Sequence, residues 1–305
     1  MGKMIEVARS SVQTWECDQM GHMNVQFYVA KADEGMAALA AKLGIGHHAQ
    51  REAGTVLIAR EHHIRFLREL RPGAAFAVHG GVLRALTEGL ELYEELRTIV
   101  GDGVSATFYT RAEWCDHIAR GGLPLPLTAL TKVDAIAVEL PRHGAPRGLE
   151  LTPPRPSPRL DEAERMGMVT TYRGTVLPEY CDRAGFMTAR HYIGRVSDAI
   201  PNLIAQSSGQ DRSKSPTGGA ALEYRLIYRE PAREGDVLVL KSGLRSVGDK
   251  TYIWCHWLFD AESGDCILTS EAVAVALDLT TRKAIEIPPD MRAHLETLVI
   301  PGLSV

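Results

Sequence analysis

Within residues 15–35, WECDQMGHMNVQFYVAKADEG, a carboxylate (Asp18), an imidazole (His22) and a carboxamide (Asn24) fall in seven residues, and an apolar helical pattern begins directly after them. Asp18 can act as a general base toward water or as a direct nucleophile. His22 can hydrogen-bond a reacting group or orient a water, and Asn24 can hold a ligand or cap a helix. Gly21 permits a sharp turn and a close approach of backbone to ligand. A helix starting near Asn24 or Val25 would turn its first N–H groups and the positive end of its dipole toward the loop, which suits a developing negative charge. The plain alternative needs no ligand, because Asp and Asn are common turn and cap residues.

The chain contains this loop twice. Residues 17–28, CDQMGHMNVQFY, lie over residues 181–192, CDRAGFMTARHY, with five identities in twelve and no gap; chance would give about one. Downstream, RELRPGAAFAV (68–78) resembles EPAREGDVLVL (230–240), and WCDHIARGGLPLP (114–126) falls opposite LDLTTRKAIEIPP (277–289), at an offset near 160 residues throughout. Such a long period means duplication of one domain rather than a solenoid. The predicted organisation is a first domain over 1–139, a proline- and charge-rich extended linker over 140–164, and a second domain over 165–305. The second loop retains Asp182, Gly185 and Tyr192 but has Phe186 for His22 and Thr188 for Asn24. If those two polar groups matter, the Asp18 loop is the working one and Asp182 marks a degenerate or differently specialised copy; the alternative is that the Asp alone suffices. His191 stands at a different spacing from its Asp and does not inherit the role of His22.

The elements that must hold the loop recur in the same order in each copy. A short strand (VARSSVQTW or MVTTYRGTVL) leads into the loop, and a helix follows. In the first copy Tyr28, Val29, Ala32, Met36, Leu39, Ala40 and Leu43 repeat at helical spacing and Gly44 supplies the stop; in the second, Pro201 predicts a kink or an early end. Strands complete each copy, among them GLELYEELRTI with VSATFYTRAEW, and TYIWCHWLFD with LTSEAVAVALDL. One helix followed by an antiparallel meander long enough to wrap it is an α+β arrangement.

Composition adds exclusions. The chain has 305 residues, 45% hydrophobic and 24% charged, with a net charge of −4, so no bulk basic footprint for nucleic acid is present. The first residues lack the apolar run of a signal peptide, no segment approaches the roughly 18 apolar residues that span a membrane, and a cytoplasmic protein without nucleic-acid or membrane partners is expected. Five cysteines form no CxxC pair, so reduced thiols are expected. The doublets His47-His48 and His62-His63 point apart on either a helix or a strand, and neither a metal nor a cofactor is expected.

The loop DQMGHMNVQFY resembles, residue by residue, the DxxGH(V/M)N....Y pattern of the 4-hydroxybenzoyl-CoA thioesterase-like family of hotdog proteins: Asp18, Gly21, His22, Met23, Asn24 and Tyr28. Trp15 and the following ADEGMAALAAKLGIG also resemble a branch that includes acyl-CoA thioesterases and betainyl-CoA thioesterases, and the resemblance extends over nearly the whole chain in two halves. It implies two tandem hotdog domains, each a curled antiparallel sheet wrapped around a central helix, paired within the chain, with the option of a further homodimer. It implies an acyl-CoA thioesterase with Asp18, His22 and Asn24 as catalytic residues, Asp182 as their second-copy equivalent, and Gly21, Val25 and Tyr28 lining the substrate site. Asp18 would serve as general base or as nucleophile through an anhydride, with the helix N–H groups as oxyanion site. Another hotdog branch uses a helix carboxylate, which makes Glu34 a reserve candidate, with Asp198 near the matching place in the second copy. Arg65, Arg68, Arg71, Arg282 and Lys283 are candidates for CoA phosphates, with plain surface charge as the alternative reading. Hotdog hydratases and dehydratases carry their His on or near the helix, whereas Asp18 and His22 here share one glycine turn. A non-catalytic acyl-CoA-binding or structural module is the remaining alternative.

Overall fold

The structure is a computed structural model that describes residues 3–208, 217–278, 280–281 and 283–305. The chain divides into two compact units, Met1–Pro146 and Arg147–Val305.

In the first unit, β1 (Ile5–Ser11) leads through a single helical turn, Thr14–Glu16, and the Asp18 loop into α1 (Val25–Lys42). A short α2 (His47–Ala53) then precedes the meander β2 (Thr55–Phe66), β3 (Ala75–Leu86), β4 (Gly89–Thr98) and β5 (Val104–Asp116), and α3 (Leu127–Leu130) follows. The strands order as β1-β3-β4-β5-β2, every neighbour antiparallel. Register shifts at Glu6/Ala8, Ala59/Glu61, Val82/Arg84 and Leu96/Arg97 interrupt the ladders. Each inserts local twist and bend, which lets the sheet curl around α1. Met36, Leu39, Ala40 and Leu43, on one face of that helix, pack with Leu57, Val82, Leu92 and Trp114 of the strands. The helix ends as its sequence predicts. Gly44 is left-handed (φ +81), its N–H donates to the Ala41 carbonyl, and the Ile45 N–H donates to the Ala40 carbonyl. These are the two closing bonds of a Schellman cap.

The second unit repeats the plan. After α4 (Leu160–Arg165) come β6 (Val169–Thr175), α5 (Ala189–Ser208), β7 (Thr217–Tyr228), β8 (Val237–Val247), β9 (Thr251–Asp260) and β10 (Cys266–Asp278), with a short β11 (Lys283–Ile285) on β10 and a final α6 (Pro289–Thr297). The order β6-β8-β9-β10-β7 is that of the first unit, and the bulges at Thr170/Tyr172 and Leu244/Ser246 fall at matching places. Each unit is thus a hotdog, an α+β layer of one long helix against a curled antiparallel sheet. Among the described residues no helix is long and apolar enough to cross a membrane.

Of the two outcomes expected at Pro201, a kink or an early end, the early end does not occur: the helix of the second copy continues to Ser208, with the proline at an exposed position. The chain through 147–165, nearly all of it within the range expected to be an extended linker, is anchored to a strand of the second unit. Arg225 donates to the carbonyls of Glu150 and Thr152, Glu223 accepts from the N–H groups of Arg147 and Gly148, Leu149 is buried, and α4 falls inside the range expected to be linker. Proline and charge density signalled irregular backbone, but a buried arginine on a strand can anchor such backbone through its carbonyls.

Candidate active site

The Asp18 loop is built almost wholly by backbone bonds. Cys17 and Met23 bridge as in an antiparallel pair, the Asp18 N–H donates to the His22 carbonyl at 3.1 Å, and the Gly21 N–H donates to the Asp18 carbonyl at 2.9 Å. Gly21 takes φ +72, a conformation that costs glycine nothing. One carboxylate oxygen of Asp18, Oδ1, accepts the Met20 N–H at 2.8 Å and closes the turn. The loop is then tied down at two further points, Met23 N–H to the Leu70 carbonyl and Asn24 N–H to the Glu16 carbonyl, both 2.8 Å. Asn24 is the N-cap of α1: its backbone is extended and its side chain accepts the Gln26 N–H at 3.0 Å. The Val25 N–H, first in the helix, makes no hydrogen bond among the described residues. The structural use of Asp and Asn is therefore real, and it leaves Asp18 Oδ2 and the first helical N–H for other work.

His22 lies beside that second oxygen. Its Nε2 is 3.6 Å from Asp18 Oδ2, and its Nδ1 is 3.6 Å from Oε1 of Glu69, on the loop after β2. The three side chains are 20% (Asp18), 23% (His22) and 36% (Glu69) exposed, so the group is reachable from solvent yet partly screened from it. Trp15 stands three residues before Asp18 and is 76% exposed. Burial, helped by the Asp18 and Glu16 carboxylates, holds the Cys17 thiol above its ordinary value.

Tyr28, expected to line the substrate site, lies between the helix and the loop. It is 3% exposed, packs edge-on against Phe66 at 5.1 Å, and its hydroxyl bonds the backbone of Leu70, the residue whose carbonyl holds Met23. Burial raises its pKa further above the usual tyrosine value. The geometry is that of a bolt between the helix and the loop. Tyr192 repeats it in the second copy, accepting the Ala232 N–H at 3.1 Å and meeting Tyr228 edge-on at 5.2 Å.

The second loop reproduces the backbone scaffold. Cys181 bridges Met187, the Asp182 N–H donates to the Phe186 carbonyl, the Gly185 N–H donates to the Asp182 carbonyl, Gly185 has φ +80, and Met187 is tied to the Ala232 carbonyl. Asp182 Oδ1 accepts from the N–H groups of Ala184 and Phe186. The chemistry differs. Phe186, in the place of His22, is 3% exposed beneath the Arg233 guanidinium, 4.4 Å from its ring. Thr188, in the place of Asn24, donates its hydroxyl to the Tyr180 carbonyl at 3.4 Å. Pro231 stands where the first copy has Glu69. His191 stacks on Tyr180 at 4.7 Å, and burial, with Arg190 and Arg195 nearby, pushes its pKa down to about 4.

The other candidates have surface roles or lie beside the site. Glu34 is exposed and pairs with Lys31 at 2.9 Å, and Asp198 is likewise a surface partner of Arg195. Arg65 donates to the carbonyls of His143 and Ala145. Arg68, Arg71 and Lys283 are exposed, the first two on the loop that carries Glu69, and Arg282 lies outside the described residues. Glu69 is the neighbour of His22 that motif reading passed over, although the RELRPG/EPAREG comparison already set it against a proline.

The sequence model of the thioesterase-like superfamily matches residues 12–142 and 176–295, one segment in each copy. No curated protein matches the chain. Among solved structures, a protein described as an oleoyl thioesterase from Lactobacillus plantarum is 11% identical, with a TM-score of 0.67 over 88% of this chain and 94% of that one. The 12:0-ACP thioesterase from Umbellularia californica is 12% identical, with a TM-score of 0.66 over 88% and 93%. An acyl-ACP thioesterase from Bacteroides thetaiotaomicron is 13% identical, with a TM-score of 0.63 over 88% and 96%. At these identities the likeness is one of fold.

Proposed function

We propose a function from one premise: the chain belongs to the thioesterase-like superfamily. It hydrolyses an acyl-CoA thioester to the free acid and CoA at the Asp18 loop, and the Asp182 loop is a scaffold without turnover. One observation carries this reading. The two loops share the backbone bonds and the Oδ1 turn that shape them, and the imidazole beside the carboxylate belongs to the first alone.

Asp18 acts through Oδ2, since Oδ1 is committed to the Met20 N–H. A water between Oδ2 and His22 gives one proton to Asp18 as its oxygen bonds to the thioester carbon. The carbonyl oxygen becomes an oxyanion and takes the Val25 N–H at the positive end of the α1 dipole, where one donor typically matters by about two to three powers of ten in rate. Collapse of the tetrahedral adduct breaks the C–S bond, and the leaving thiolate takes the proton from Asp18, so free acid and thiol result with the carboxylate restored. Asn24 keeps the helix start fixed, Gly21 lets the thioester approach the backbone, and Tyr28 holds helix and loop in register. The exposed Arg68 and Arg71 on the adjoining loop suit the CoA phosphates.

The test is free thiol release, followed with a thiol reagent, across short, aromatic, branched and quaternary-ammonium acyl-CoAs. Turnover of at least one class is expected. No release above background from any of them would instead favour an acyl-CoA-binding module that retains the pocket without the chemistry.

A further inference from the structure

His22 is flanked by two carboxylates, and the arrangement is not symmetric. Asp18 lies on the Nε2 side and Glu69 on the Nδ1 side, each at 3.6 Å. A carboxylate can only accept, and a neutral imidazole carries one hydrogen, so the ring must direct that hydrogen toward one neighbour and a lone pair toward the other. The two tautomers have opposite consequences. With the hydrogen on Nε2, His22 donates to Asp18 Oδ2, the only oxygen of that carboxylate that the turn leaves open. The base is then occupied by its own neighbour. With the hydrogen on Nδ1, Nε2 is an acceptor, and a water can donate one hydrogen to Asp18 Oδ2 and the other to Nε2.

We infer that Glu69 is a positioning residue that holds the His22 hydrogen on Nδ1, which keeps Asp18 open to water. The inference rests on the reading of Asp18 as the base. Asp18 Oδ1 already accepts the Met20 N–H, so Oδ2 is the oxygen that faces the ring, and it is the one the reaction needs for water. The 3.6 Å separations exceed hydrogen-bond length, as catalytic contacts commonly do before substrate tightens them. The second copy supplies the internal comparison. Where the imidazole is replaced by Phe186, Pro231 replaces the glutamate, while Asp182, which needs neither to close its turn, stays. A carboxylate retained only for surface charge would have no reason to follow the imidazole.

The tautomer is read directly from the imidazole nitrogen chemical shifts of ¹⁵N-histidine-labelled protein, in the full chain at a pH where His22 is neutral. The wild type is expected to show Nδ1–H, and Glu69→Leu to shift toward Nε2–H, with kcat lowered about tenfold or more and KM little changed. Glu69→Gln, which keeps the volume and one acceptor oxygen, should fall between them and guards against a folding defect in the leucine variant. Nε2–H in the wild type, or an unchanged tautomer and kcat in both variants, would overturn the inference. The nitrogen shifts need no turnover, so they judge Glu69 even if no acyl-CoA is hydrolysed, whereas absent turnover in the wild type counts against the thioesterase reading itself.

Discussion

Asn24 is the N-cap of α1, and substitution measures what the cap is worth. Its carboxamide oxygen caps α1 through the Gln26 N–H. Asn24→Ala should cost about 1 kcal/mol of stability in urea unfolding, the usual worth of an N-cap, whereas Asn24→Ser, which keeps a capping oxygen, should cost a few tenths. If alanine unfolds at the wild-type midpoint, the cap contributes nothing. Asp18, His22 and Asn24 were legible in sequence because one short loop holds them all. Glu69 was not read, because a charged residue between Arg68 and Arg71 looks like solvated surface and only the fold brings it to His22.

At the scale of elements, α1 was legible from its apolar period and its glycine stop, but what lies beneath it was not. Glu94 of β4 is fully buried, its carboxyl has no hydrogen-bond partner among the described residues, and it presses against Gly35, where a Cβ would fall 1.8 Å from Oε1. The strand alternation Leu90, Leu92, Glu94, Leu96 puts it on the helix-facing side, although a glutamate in LYEELR reads most simply as exposed. Burial first, and then the Asp33 charge, raise its pKa well above 4.5. Unfolded, the group ionises near 4.5; folded, it keeps its proton to higher pH. Between those two values the folded state binds the extra proton, so this contribution to stability is whole at low pH and declines as pH rises, at up to ~1.4 kcal/mol per pH unit. Glu94→Gln, which cannot ionise, should therefore gain on the wild type as pH increases from 5 to 8 in denaturant titrations. A constant difference across that range would mean Glu94 titrates normally in the fold. Likewise, Pro201 was expected to kink or end α5 because it lacks an N–H; packing of Leu203 with Leu244 and Trp254 keeps the next turns helical.

For the whole molecule, the duplication was legible from five identities in one loop and a steady offset, and the two units share strand order and bulge positions down to the matching interruptions in β3 and β8. The packing of the connecting segment on the second unit was not legible, because backbone carbonyls carry no sequence signal. The duplication also makes one copy the control for the other. Asp18 and Asp182 each close a turn with Oδ1, and an asparagine keeps that oxygen while removing the charge, so Asp→Asn leaves each loop closed and tests the carboxylate alone. The decisive measurement is thiol release by Asp18→Asn and Asp182→Asn on the same acyl-CoA. Asp18→Asn is expected to lose kcat by about a hundredfold or more, as loss of a general base does, while Asp182→Asn stays within about twofold of the wild type. Equal losses, or a loss confined to Asp182→Asn, would contradict Asp18 as the base of the working copy.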